Sequence, residues 1–214
     1  MTETRKIPEH QAVYERLRDM ILLGRFAPGQ PLTIMGLSEH LGVGMTPVRE
    51  AIRRLTAENA LGTLGNRRVV VPELDAQNLR DIYFLRLKVE PELTSRAIKR
   101  INKRHIANLR EIDHEIDTAI NSGDVETYLE RNNRFHFQIY ALAKAPVLFR
   151  VALALWVQVG PSLRVNCGRY GTANLPDKHS ELLNALENSD HEAASLAMRG
   201  DLEQSLSLAT AALN

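Results

Sequence analysis

The sequence predicts a mostly α-helical protein in two parts: a winged helix-turn-helix over residues 1–72, then an all-helical bundle of about six helices over residues 73–214. Three observations predict it. Residues 37–55 read as two short helices around a glycine-containing turn. Residues 64–71 read as a hairpin with arginines at its tip. Past Pro72 the apolar residues recur at helical spacing.

The first part builds up in order. Val13, Leu17, Met20 and Ile21 mark an amphipathic helix that Gly24 can end, and Pro28-Gly29 turns the chain. Leu37 and Leu41 share a face of the next helix. Gly42 and Gly44 flank Val43 and supply freedom for a tight turn. Thr46 is expected to cap the following helix, with Pro47 at its first position. Val48, Ile52 and Leu55 then face a core, while Arg49 and Arg53 lie together on another face. Thr46 and Arg49 fall in the first turn, where a recognition helix meets base edges. An ordinary amphipathic helix pair with solvated arginines fits the same spacing. Gly65-Asn66 supplies a turn before the β-branched run Val69–Val71, and Arg67 and Arg68 project toward a phosphate backbone or minor groove.

Charge agrees with that division. Residues 1–72 hold ten Lys/Arg against seven Asp/Glu, and the remainder 17 against 19. The single Cys167 excludes an intrachain disulfide and fits a reducing cytoplasm; it reads as a packed thiol. The opening MTETRKIPEH lacks an apolar signal core, and the longest apolar run, Val151–Val159, is too short to span a bilayer. No membrane association is expected.

Asp75 can cap the first helix of the second part, whose apolar face runs through Leu79, Ile82, Tyr83, Leu87, Val89 and Leu93, with Pro91 a candidate kink. Asn102 caps a helix running to Asn121-Ser122-Gly123. A third runs from Val125 to Lys144. A fourth spans Val147 to Tyr170, with a bend at Gly160-Pro161. A fifth covers Asp177 to Glu187. Ser189-Asp190-His191-Glu192 reads as a capping box opening a last helix that ends near Ala212.

One constellation stands out there. Asn132 and His136 are four apart on one helix face. His179 lies ten residues before Ser189 and Asp201 twelve after, so an antiparallel hairpin brings them level. Two histidines and two oxygen donors from three helices can close around a divalent metal. Each residue taken alone also reads as an ordinary surface or core side chain.

These segments resemble two known families. Pro28-Gly29, the run Leu37–Leu55 with its Leu-Gly-Val-x-x-Thr-Pro-Val-Arg-Glu-Ala core, and Asn66-Arg67 resemble the DNA-binding domain of GntR-family bacterial transcription regulators. Gly44-Met45 replaces that family's usual Ser-Arg, Arg68 replaces a wing glycine, and Asn59 replaces the glycine after the recognition helix. Downstream, Arg86-x-x-x-Glu90, Phe135-His136 and the run from His179 to Met198 resemble the FCD effector domain of the FadR subfamily. That resemblance implies a metal held by one Asp and three His. Here His136 and His179 match, Asn132 stands for the Asp, and Asp201 stands for the last His. An amide oxygen is the weaker ligand for Zn²⁺ or Ni²⁺, so weakened metal affinity is expected. A metal-free site with both histidines on an anion is the alternative. The resemblance also implies a small carboxylate effector, with Arg86 as its forked partner and Arg164 and Arg169 as further candidates. An i, i+4 ion pair with Glu90 is the bland reading of Arg86.

The expectation is therefore a cytoplasmic, homodimeric transcription regulator that binds a pseudopalindromic operator in double-stranded DNA under effector control. Two other classes remain at this point. One is a helical metal-dependent hydrolase using His136, His179 and Asp201, although no general base or nucleophile is evident beside them. The other is an interaction module whose winged helix has lost DNA binding.

Overall fold

The computed structural model describes residues 8–64, 68–170 and 176–211. The chain divides into two compact units: Met1–Glu73 together with Trp156–Ser162, and Leu74–Leu155 together with Leu163–Asn214. No sequence signal assigned residues 156–162 to the first unit.

The first unit is a winged helix. It runs α1 (Glu9–Leu22), β1 (Pro31–Leu32), α2 (Ile34–Leu41), α3 (Met45–Ala57), β2 (Gly62–Thr63) and β3 (Val69–Val70). Val13, Leu17 and Ile21 of α1 and Val48, Ala51, Ile52 and Leu55 of α3 are buried, as their helical spacing requires. The strands form an antiparallel sheet in the order β1-β3-β2, with Leu32 and Thr63 both opposite Val69. β1 escaped the sequence because two residues carry no alternation. Gly42 ends α2 in the left-handed region, at φ +67°, where a Cβ is strained. The cap expectation needs correction. α3 begins at Met45 with Gly44 at the cap position and no side-chain cap, so Thr46 and Pro47 sit inside the first turn. Thr33 instead caps α2, accepting from Gly36 N at 3.0 Å.

The second unit is helical among the described residues: α4 (Ala76–Ile98), α5 (Lys103–Ser122), α6 (Val125–Leu142), α7 (Pro146–Tyr170), α8 (Lys178–Glu187) and α9 (His191–Ala211). Short side chains open five of them. Asp75 caps α4 and exchanges bonds with Asn78. Asn102, Asp124 and Asp177 cap α5, α6 and α8. At α9 the expected Ser189 box is replaced. Ser189 takes φ +56°, and Asp190 accepts from Ala193 N at 3.0 Å. α4 runs unbroken through Pro91, and α7 through Pro161.

The core of this unit gathers Leu93, Leu109, Ile112, Phe135, Ile139, Leu182, Leu183, Met198 and Leu202. Burial pushes the Cys167 thiol up to about 11, which suits a packed thiol and not a nucleophile. The membrane expectation considered only the run 151–159, which contains Gln158. The helix around it, Pro146–Gly168, has the length and apolarity of a membrane span, with 44% of its apolar window buried in the protein.

Candidate functional site

α6 supplies one wall of the site. Asn132, His136 and Tyr140 stand one turn apart on it and share a face. α8 contributes His179 in its first turn, its ring stacked on Phe135 with 4.3 Å between centroids. α9 contributes Asp201. His136 Nε2 lies 3.3 Å from His179 Nε2 and 3.4 Å from Asp201 Oδ2, and His179 Nε2 lies 3.7 Å from Asp201 Oδ1. One ligand atom from each of the three falls within 4.8 Å of the others. Neighbouring ligand atoms around a tetrahedral ion with bonds of ~2.1 Å are separated by roughly 3.4 Å, so the donor set fits a small divalent cation.

The outer ring nitrogens are already engaged. His179 Nδ1 is 3.1 Å from Asp113 Oδ1 on α5, and an ionised carboxylate only accepts. Tyr140 donates its hydroxyl to Glu90 Oε2 at 2.5 Å, and its oxygen lies 3.2 Å from His136 Nδ1. Hydrogen on each Nδ1 would suit these contacts and turn a bare Nε2 of each ring inward. Two facing lone pairs repel unless a proton or cation lies between them.

The local charges agree. Burial, helped by the positive His179 and Arg86, holds the His136 imidazole well below its usual range. Burial also opposes a proton on His179. There the bond to Asp113 and the charges of Asp201, Asp113 and Asp177 prevail, and its titration is raised. Burial raises the Asp201 carboxyl, partly offset by His179 and Arg86. Of the two imidazoles, His179 is the one whose surroundings favour a proton.

His179 and Asp201 also line a cleft of about 250 Å³, with Asp113, Asp117, Asp177 and Tyr128 around them. Lys178 stands at the same cleft, but its ammonium is 2.7 Å from Glu181. The wall is strongly acidic. Burial and the charges of Asp113 and Asp177 raise the Asp117 carboxyl.

The other expected residues fall as follows. Asn132 is half-buried one turn before His136; among the described residues its side-chain amide has no hydrogen-bond partner. Arg86 is 1% exposed and does not line the cleft. It pairs with Glu90, Nε to Oε1 at 2.6 Å, which is the bland reading of the i, i+4 spacing. Burial opposes its charge, but Glu90 more than compensates and its proton is held more tightly than usual. Arg86 still acts on Asp201 and His136 through its charge. In the first unit, Thr46, Arg49 and Arg53 are exposed on α3, with Arg53 paired to Glu50 at 2.9 Å. Arg54 is drawn aside: its guanidinium lies 3.6 Å over the Tyr14 ring and bonds Glu58 and Gln11. Arg68 is exposed before β3. Arg67 and the Gly65-Asn66 turn lie outside the described residues, as does the side chain of Arg169. Arg164, half-exposed on α7, lies 3.9 Å from Glu126.

Sequence reasoning missed Asp113 and Tyr140. Tyr140 was legible as the next turn of the 132, 136 ladder. Asp113 was not, since only the packing of α5 on α8 brings it to His179.

Residues 9–71 match the family described as bacterial regulatory proteins, gntR family, and residues 81–204 match the FCD domain. The HTH-type transcriptional regulator McbR of Escherichia coli K12 is 30% identical over 196 residues, covering 90% of this chain and 88% of that protein. The Nta operon transcriptional regulator of Aminobacter aminovorans is 32% identical over 142 residues, 62% of this chain and 66% of that protein. The solved structure of E. coli McbR/YncC superposes with a TM-score of 0.90 at 27% identity, covering 97% of this chain and all (100%) of that one.

The buried pair makes a stability prediction. Glu90→Ala strands the Arg86 guanidinium without its counter-charge and should cost about 3–5 kcal/mol in urea denaturation. A cost within the range of exposed pairs, below about 1 kcal/mol, would show that the pair is solvated.

Proposed function

The chain belongs to the GntR family of bacterial regulatory proteins and carries an FCD effector domain, and from that premise we propose how its residues divide the work. As a transcription regulator it is not an enzyme, so the hydrolase alternative falls away. α3 and the wing read operator DNA: Thr46 and Arg49 at base edges, Arg53 and the wing arginines Arg67 and Arg68 along the backbone or minor groove. Residues 73–214 sense the effector and form a homodimer that matches a pseudopalindromic operator. α7 is a helix of that domain, and the protein is cytoplasmic.

The effector is a small carboxylate bound together with a divalent cation, Zn²⁺ or Ni²⁺. The observation that carries this reading is the convergence of two Nε2 atoms and the Asp201 carboxylate at the wall of an acidic cleft. His136, His179 and Asp201 would hold the ion, with Asn132 the outermost and weakest contact. The ion supplies positive charge and an open coordination position. Without it, an anion would meet Asp113, Asp117, Asp177 and Asp201 unscreened. The metal-free anion site is disfavoured on that ground. Arg86 serves through its charge, from behind. Effector binding then biases the conformations of the dimer and hence operator affinity.

Arg49→Ala should cost about 1–3 kcal/mol on the cognate operator and flatten sequence discrimination. Equal losses on cognate and random DNA, measured by titration at fixed salt, would reduce Arg49 to a phosphate contact. Sedimentation at micromolar concentration should return a dimer mass, and a monomer with and without DNA would refute the two-fold arrangement. Calorimetry with Zn²⁺ or Ni²⁺ should show tighter binding to Asn132→Asp than to the natural chain. Unchanged affinity would remove Asn132 from the site.

A further inference from the structure

We propose that Glu90, acting through the Tyr140 hydroxyl, is the positioning residue that selects which nitrogen of His136 faces the cleft. The proposal deepens the metal-assisted reading above and rests on it for its purpose, though not for its geometry.

Glu90 is fully buried (0% exposed) on α4, and its carboxylate is held between Arg86 Nε at 2.6 Å and the Tyr140 hydroxyl at 2.5 Å. Both Glu90 oxygens accept from the guanidinium, Oε1 from Nε at 2.6 Å and Oε2 from Nη2 at 3.3 Å. The hydroxyl hydrogen of Tyr140 therefore points at Glu90. Its oxygen lone pairs point away, and His136 Nδ1 lies 3.2 Å off. Only an N–H at that nitrogen satisfies the contact; a bare Nδ1 would put two lone pairs face to face. The direction of the chain is thus fixed at its Arg86 end. Arg86 holds Glu90 as an acceptor, Glu90 orients Tyr140, and Tyr140 demands hydrogen on Nδ1. Nε2 is left to His179 and Asp201, at 3.3 and 3.4 Å.

The site thereby has two orienting carboxylates of unlike design. His179 is oriented directly by Asp113, which lines the cleft. His136 is oriented at one remove, across a hydroxyl, by a carboxylate that does not line it. A direct Glu90 contact to Nδ1 would add a negative charge against the ring. The interposed hydroxyl passes on the orientation and keeps the charge with Arg86. Orienting partners of this kind typically change metal affinity by 10- to 100-fold when removed.

The test uses the full-length protein with two readouts. In the natural chain, ¹⁵N NMR of the histidine rings should show His136 with its hydrogen on Nδ1 in the absence of any metal. Hydrogen on Nε2 instead would overturn the proposal without recourse to a variant. Tyr140→Phe keeps the ring packing and removes the hydroxyl. It should shift His136 toward the Nε2–H form and weaken Zn²⁺ or Ni²⁺ binding by about 10- to 100-fold in calorimetry, with thermal melts confirming that it folds. An unchanged tautomer in folded Tyr140→Phe would overturn the relay. His136→Ala separates the two readings. If metal binding survives that change while the tautomer result holds, the metal reading fails and the positioning role stands. If metal binding is lost in His136→Ala but is as tight in Tyr140→Phe as in the natural chain, the positioning role fails and the metal reading stands.

Discussion

The helical unit is organised around the need to bury the Arg86–Glu90 pair. Taking both charges out of water costs several kcal/mol per ion, and the pair holds only if its remaining valences are met inside. The surrounding sequence meets them in part. Tyr140 donates to Glu90 Oε2, and the Tyr83 ring lies 4.9 Å under the guanidinium. This fixes α4 against α6 at one level. Because His136 is the next turn from Tyr140, it also fixes the height of His136 on the cleft wall. The position of the imidazole follows from the position of an ion pair that never meets solvent.

Much of the fold could be read from the chain because its signals are local. The helix-opening Asp75 and Asn102, the left-handed Gly42 and the periodic Val48, Ile52 and Leu55 each act within one or two turns. Errors arose where two local candidates compete. Thr46 and Gly44 both suit a cap, as do Ser189 and Asp190, and a one-residue shift of backbone dihedral decides between them. β1 is legible only through its partner Val69. In the site, His136, His179 and Asp201 could be aligned because a helix ladder and a hairpin turn are both countable. Asp113 could not, because α5 has no fixed register to α8 in sequence. The two readings of Arg86 stayed open for a related reason: an arginine on an i, i+4 ladder looks the same whether its face meets solvent or the core.

Against the pattern that the resemblance implies, Asn132 and Asp201 keep one carboxylate at the site and move it from α6 to α9. The rest of the cleft wall is more acidic than the ion itself needs. Asp113 is engaged with His179, but Asp117 and Asp177 face the space where an effector carboxylate would lie. Burial, with the charges of Asp113 and Asp177, raises the Asp117 carboxyl. Such a cleft rejects an anion that arrives alone.

Cation and carboxylate then stand in a reciprocal relation. If the cation increases the affinity for the carboxylate by some factor, the carboxylate increases the affinity for the cation by the same factor. In the proposed site, three firm donors and a weak amide would hold an ion loosely until an effector oxygen completed the coordination. The loss of a carboxylate at Asn132, which by itself reads as decay of a metal site, becomes under this scheme the feature that makes occupancy conditional on the effector. A tighter site would stay loaded and would report only on the effector. The looser one reports on the two together. His136, His179 and Asp201 would thus serve ion and effector as one cluster of three side chains.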